Sequence, residues 1–138
     1  MPVVQPLGGG VIIRWDGGKR SREVTRACER ATLAIAEHAA SEAKIRVHRI
    51  TGTLSRSIHT FDEEYRGQGD EAVAKDGEVQ GLRAANVKGG VVTVLVGSLI
   101  SYAKYEERLH PFMKPAFDVA IEGAGARFRM ALAQEGIT

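Results

Sequence analysis

VVTVLVGSLISYAKYEERLHPFMKPA, residues Val91 to Ala116, is the stretch on which the fold turns. Val91 to Val96 alternates two sets, Val91/Thr93/Leu95 and Val92/Val94/Val96. β-Branched and apolar residues in both sets predict a central strand covered on each side. Gly97-Ser98 stops it. Leu99 to Tyr105 suits either another strand or a short helical turn. Pro111 and Pro115 then fix the backbone, and Pro115 is placed as the first residue of a helix. Phe117, Ala120, Ile121, Ala124, Phe128, Ala131 and Leu132 follow at helical spacing, which predicts a helix near 115–134. Gly123 and Gly125 weaken it by about 1 kcal/mol each relative to alanine. Their expected use is the close approach of another backbone.

Moving towards the N-terminus, Asp62 to Gly90 carries six glycines, many charges and few large apolar residues. It reads as a long insertion loop, mobile in the free chain and ordered by neighbours. Before it, Thr51-Gly52-Thr53-Leu54-Ser55-Arg56 reads as a turn, with Gly52 supplying a backbone shape other residues resist. A strand is expected from about Ser57 to Phe61. Lys19 to Val47 is helical, with Val24, Cys28, Ala31, Ile35, Ala39 and Ala43 on one small-residue stripe. Arg26, Arg30, Glu37 and Lys44 fall on the opposite face. Gly10 to Trp15 reads as a short strand, ended by a turn at Asp16-Gly17-Gly18. Residues 1–9 read as a flexible arm without a core of their own.

These elements predict one α+β domain over residues 1–138. A long N-terminal helix and a C-terminal helix pack on a small, mostly antiparallel β-sheet. The composition is that of an ordinary globular chain, 43% hydrophobic and 26% charged. Net charge is only +2, so bulk electrostatics name no partner. The charge is nevertheless uneven. Lys19 to Arg56 holds nine Lys/Arg against four Glu, and Asp62 to Glu78 holds seven Asp/Glu against two Lys/Arg. Such blocks suit a protein that meets copies of itself, and equally suit two solvated faces. The first residues lack a signal-peptide pattern, and no apolar run approaches the ~20 residues of a membrane helix.

No catalytic constellation emerges. The four histidines show no metal-ligand spacing, and there is no P-loop, GxSxG or dinucleotide fingerprint. Cys28, the single cysteine, lies in an apolar stripe and reads as a small core residue. The expectation is a protein that is not an enzyme and uses no cofactor or metal. Tyr102 and Tyr105 read as interface anchors or as ordinary half-buried tyrosines. Glu106 reads as an interface ion-pair partner. Lys19, Arg26, Arg30 and Lys44 could meet phosphates or an acidic partner, although Glu37 interrupts that face.

Four segments in order carry a resemblance: Thr51-Gly52-Thr53-Leu54-Ser55-Arg56-Ser57-Ile58, Val96-Gly97-Ser98, Tyr102-Ala103-Lys104-Tyr105-Glu106, and Pro111-Phe112-Met113-Lys114-Pro115-Ala116. Together they resemble the tail-completion, or head–tail joining, proteins of long-tailed (siphovirus) bacteriophages. That family shows a "TGxLrrSI" turn, a "vGs…YAxyvE" segment and a "PFlrPA" helix start. The resemblance spans about residues 20–135. It marks Gly52, Leu54, Arg56, Ser57, Tyr102, Tyr105, Glu106, Pro111, Phe112 and Pro115 as motif or interface residues. One departure is visible: the family follows the Glu with Gly-Thr, whereas this chain reads Glu106-Glu107-Arg108. The resemblance implies a non-catalytic virion protein, made in the host cytoplasm, that forms a hexameric ring at the neck. Its implied neighbours are a head-completion or connector protein and a tail terminator or tail tube protein. DNA would pass transiently through the lumen. The competing expectation is a small nucleic-acid-binding module that uses the basic face of helix 19–47.

Overall fold

The computed structural model describes residues 2–7, 10–16, 22–47, 52–62, 81–100 and 102–136, with the backbone alone for 2–7 and 11–16. Lys19, the turn at Gly17-Gly18, Thr51 and residues 63–80 of the long loop lie outside the described residues. The expected mobility of that loop therefore falls outside them as well.

The chain folds as α+β. In order it forms strands β1 (Pro2–Leu7) and β2 (Gly10–Asp16), helices α1 (Arg22–Arg46) and α2 (Thr53–Ser57), then strands β3 (His59–Phe61), β4 (Asn86–Lys88) and β5 (Val91–Gly97). Helices α3 (Ala103–Leu109), α4 (Met113–Glu122) and α5 (Ala124–Gln134) complete it. All strand pairings are antiparallel. β5 pairs along its whole length with β2, from Gly10↔Gly97 to Asp16↔Val91. Its other edge is shared by β3, against Leu95–Gly97, and β4, against Val91–Thr93.

β5 is the covered central strand that its two apolar sets predict, buried from Val92 to Gly97. Val94 and Val96 join the main core with Ile35, Ala39 and Ala43 of α1 and Phe112, Met113 and Phe117 of the C-terminal segment. On the other face Leu95 packs with Phe61 and Leu82. The small-residue stripe of α1 serves both sides of the helix. Ala27, Ala36 and Ala40 are buried in addition to the expected positions, because the sheet lies on one flank and α4–α5 on the other. Cys28 is buried there as a core residue.

Several expectations are corrected. The N-terminal stretch read as an arm forms β1, which pairs with β2 in register Pro2↔Trp15 to Leu7↔Gly10. β1 is an edge strand, where Pro2 and Pro6 are tolerated because an edge needs no second row of donors. The loop read as 62–90 ends earlier. Leu82 N–H donates to Thr60 O and Oγ1 at 3.1 and 3.0 Å, and β4 pairs with β5 through a Gly89-Gly90 turn. Both glycines have positive φ, 56° and 81°, as a two-residue hairpin turn requires. The segment 53–57 is a helical turn, and the strand that follows begins at His59.

The C-terminal helix begins at Met113, two residues before Pro115, and breaks at Gly123 into α4 and α5. Pro115 still lies in the first turn, where a missing N–H costs nothing. No backbone crowds the two glycines. A Cβ at Gly123 would lie 3.8 Å from Ala120 O, and one at Gly125 would lie 3.6 Å from the Arg129 guanidinium.

Candidate functional site

The motif residues divide into a core set and a surface set. Leu54, Ser57 and Phe112 are buried, whereas Tyr102, Tyr105 and Pro111 are exposed. Gly52 has φ 82° and ψ −6°, the left-handed shape expected of it, and precedes α2. Arg56 reaches back to Thr53 Oγ1 at 3.4 Å, so it serves this turn.

The first two motifs meet through hydroxyls. Ser57 Oγ–H donates to Leu54 O at 2.7 Å, so Ser98 Oγ–H donates to Ser57 Oγ at 2.6 Å. Ser98 Oγ in turn accepts Ile100 N–H at 3.1 Å. This chain ties α2 to the end of β5. Ser55 Oγ–H also donates to Lys44 O at 3.2 Å, which ties α2 to the end of α1. His59 is buried beside this junction, its Nδ1 2.6 Å from Ser57 O. A carbonyl can only accept, so Nδ1 carries the proton. Burial pushes the His59 pKa below its ordinary value of 6.5. The bond to Ser57 O opposes that shift, and the charge of Lys44 adds to it.

The last two motifs meet through Glu107. Its Oε2 accepts Phe112 N–H at 2.9 Å and Met113 N–H at 2.8 Å, and its Oε1 accepts Lys114 N–H at 3.2 Å. Pro115 has no N–H, and Ala116 N–H makes the first bond back to Phe112 O. One carboxylate thus satisfies the orphan donors at the start of α4 and sits at the positive end of its dipole. Glu107 thereby ties α3 to the start of α4. Glu106, expected as an interface ion-pair partner, has its Oε2 3.5 Å from His110 Nδ1 of the same chain.

α3 carries an exposed apolar stripe. Tyr102, Tyr105 and Leu109 recur at one face of the helix and are 41%, 55% and 69% exposed, and Leu99 just before them is 39% exposed. Lys104 Nζ lies 5.2 Å from the centre of the Tyr105 ring, a cation–π contact that holds the ring at the surface. The sequence reading had the two tyrosines but missed Leu99 and Leu109. The signal was present in the spacing 102, 105, 109. Single exposed apolar residues are ordinary, whereas here three share one face of a short helix and a fourth, Leu99, shortly precedes it.

A second feature is a groove of about 840 Å³ along the outward face of α1, with Leu33, Ala34, Leu82 and Ala85 among its lining residues. Glu29, Glu37, Arg83 and Arg127 also line it. The expected basic face of α1 is partly spent at the groove's end. Arg26 and Arg30 both hold Glu135, at 3.3 and 2.7 Å, and Arg30 also donates to Gln134 Oε1 at 3.0 Å. Lys44 lies towards the opposite end of α1, half-buried.

Among the described residues no group of three or more His, Cys, Asp or Glu could hold a metal ion. No described helix is long and apolar enough to cross a membrane. No family model, curated protein or solved structure matches the chain.

Proposed function

We propose that this protein is a structural virion component of the tail-completion, or head–tail joining, type. Copies form a ring, hexameric by analogy with the family it resembles, at the junction of capsid and tail. A head-completion or connector protein lies on one side and a tail terminator or tail tube protein on the other. The observation that carries this reading is the exposed stripe Leu99–Tyr102–Tyr105–Leu109. Tyrosines and leucines in a row provide large contact area at small entropic cost, which is the chemistry of a protein–protein contact. The Glu107 cap and the Ser57–Ser98 bond support it further, since both hold the motif segments rigid behind that stripe.

The basic face of α1 fits a channel that passes DNA without gripping it. Phosphate affinity rises steeply with the number of cations engaged. Arg26 and Arg30 are already shared with Glu135, which lowers what they offer a phosphate. The same observation weakens the alternative of a dedicated nucleic-acid-binding module, as do Glu29 and Glu37 on that face. Deleting the gene tests the role. The expected result is DNA-filled heads and separate tails that fail to join, or that join without infectivity. Normal infectious particles would overturn it.

A further inference from the structure

The sequence of α3, AKYEERL, is balanced in charge, with Lys104 and Arg108 against Glu106 and Glu107. The fold sends the two signs to different places. Both Glu107 oxygens accept backbone N–H groups at the start of α4. Glu106 Oε2 is buried, 3.5 Å from His110 Nδ1. Lys104 and Arg108 stay exposed, and among the described residues neither forms an ion pair. With Tyr105 and Leu109, exposed on the same short helix, they make a face that is apolar and positive together. Two such faces would repel one another, so stripe against stripe is unfavourable. A cover for this face has to combine apolar side chains with carboxylates.

We propose that the acidic stretch 63–80 of one copy docks on the Tyr105–Leu109 face of α3 in the next copy. This rests on the ring-forming reading above and names a contact that would build the ring. The stretch holds six Asp/Glu against two Lys/Arg, a net charge of −4, with Tyr65, Val73 and Val79 interleaved among them. The groove on α1 suits it less. Its four arginines are mixed with Glu29 and Glu37, and Arg26 and Arg30 already hold Glu135. The two ends of the stretch favour a neighbour over its own α3. β3 runs from His59↔Gly97 to Phe61↔Leu95, so it carries the chain away from the Gly97 end of β5, the end that α3 follows. The chain returns where Thr60 holds the Leu82 N–H. Eighteen residues fixed at both ends extend outward by at most about 30 Å, roughly nine residues each way. That is about twice the radius of gyration of a domain this size, enough to meet an adjacent copy. Each copy then gives one patch and receives another, a heterologous contact that closes into a ring when its rotation permits.

Cysteine cross-linking between full-length chains tests the contact, since the native Cys28 is buried. Leu109→Cys and Val73→Cys variants are oxidised alone and mixed, both in assembled particles and at concentrations where light scattering shows associated copies. The expected result is a disulfide dimer in the mixture and little product from either variant alone. A chain carrying both cysteines should give a ladder that ends at the ring's copy number. Lys104→Glu with Arg108→Glu in the Leu109→Cys chain should lower the yield several-fold, as should Asp70→Lys with Glu71→Lys in the Val73→Cys chain. The two sets combined should restore it. A yield that neither set changes would overturn the proposal. So would a chain with both cysteines that closes on itself as a monomer, because the stretch would then meet its own α3. Cross-linking of Leu109→Cys to itself would show stripe meeting stripe and overturn it too. Associated copies with no cross-link in the mixture would overturn the contact while leaving the head–tail joining role intact. Chains that are single copies in the assembled particle would overturn both the docking and the ring.

Discussion

The carboxylate of Glu107 accepts the backbone N–H of Met113 at 2.8 Å across the Pro111 turn. It also takes the N–H groups of Phe112 and Lys114, so α3 supplies the cap for α4. This contact makes the exposed stripe a rigid surface, because the helix that carries the stripe is anchored to the helix that enters the core.

Replacing that cap has a defined cost. Glu107→Ala leaves three donors at the start of α4 without a partner, and the loss expected is about 1–2 kcal/mol. Glu107→Gln keeps an acceptor but loses the charge facing the helix dipole, so its loss should be smaller. Chemical denaturation of both variants measures this, with Glu106→Ala as the control. A Glu107→Ala loss no larger than the control's would show that the cap contributes nothing.

The Ser57–Ser98 bond should behave as one unit. Either serine replaced by alanine removes the same link between α2 and β5, at about 1 kcal/mol. The double variant should lose clearly less than the sum of the single losses, as expected for contacting residues. Strict additivity in a double-mutant cycle would contradict the bond.

Two glycines should respond in opposite directions. Gly52 has φ 82°, and an added Cβ would lie 2.9 Å from Arg56 Nη1, so Gly52→Ala is strained and should destabilise by about 1 kcal/mol or more. Gly125 is exposed in the first turn of α5 with only ordinary contacts near its Cβ, so Gly125→Ala should stabilise by about 0.5–1 kcal/mol. Thermal melts of the two variants give the signs directly.

Stability should fall as pH drops below about 6.5, with His59 contributing. Its folded pKa lies below its unfolded value of 6.5, mainly through burial. Between those two values the unfolded chain binds more protons, so stability rises with pH in that window. The contribution is complete above pH ~6.5 and lost once pH falls through the folded pKa. His59→Gln should flatten the stability profile between pH 7.5 and 5.5 relative to the unaltered chain. Parallel profiles would show that His59 does not titrate in this way.

Much of the fold was legible because periodicity reports burial. The two-sided chemistry of Val91–Val96 and the alanine stripe of α1 each named their own environment. β1 was missed because proline and glycine near a terminus read as loop, and an edge strand tolerates proline. β4 was missed although Lys88-Gly89-Gly90-Val91 carries a hairpin signal, because the glycines before it made the whole stretch read as one loop. The cap by Glu107 was not legible. Capping boxes are recognised at a three-residue spacing, and Glu107 acts six residues ahead of Met113 through a chain reversal. Of the exposed apolar residues, Tyr102 and Tyr105 were visible by type, whereas Leu99 and Leu109 became distinctive only by their exposure.

The stripe should matter for assembly and not for folding. Tyr105→Ser and Leu109→Ser remove exposed side chains, so each should change stability by no more than about 0.5 kcal/mol. Both should reduce association between copies, read by light scattering at matched concentration. Variants that associate as the unaltered chain does would place the contact elsewhere.

Image reconstruction of the junction between capsid and tail in assembled particles tests the proposed role most directly. The expected result is a closed ring of this chain at that junction, with Tyr105 and Leu109 covered by a neighbouring copy. A junction without such a ring, or a ring in which that stripe faces solvent, would contradict it.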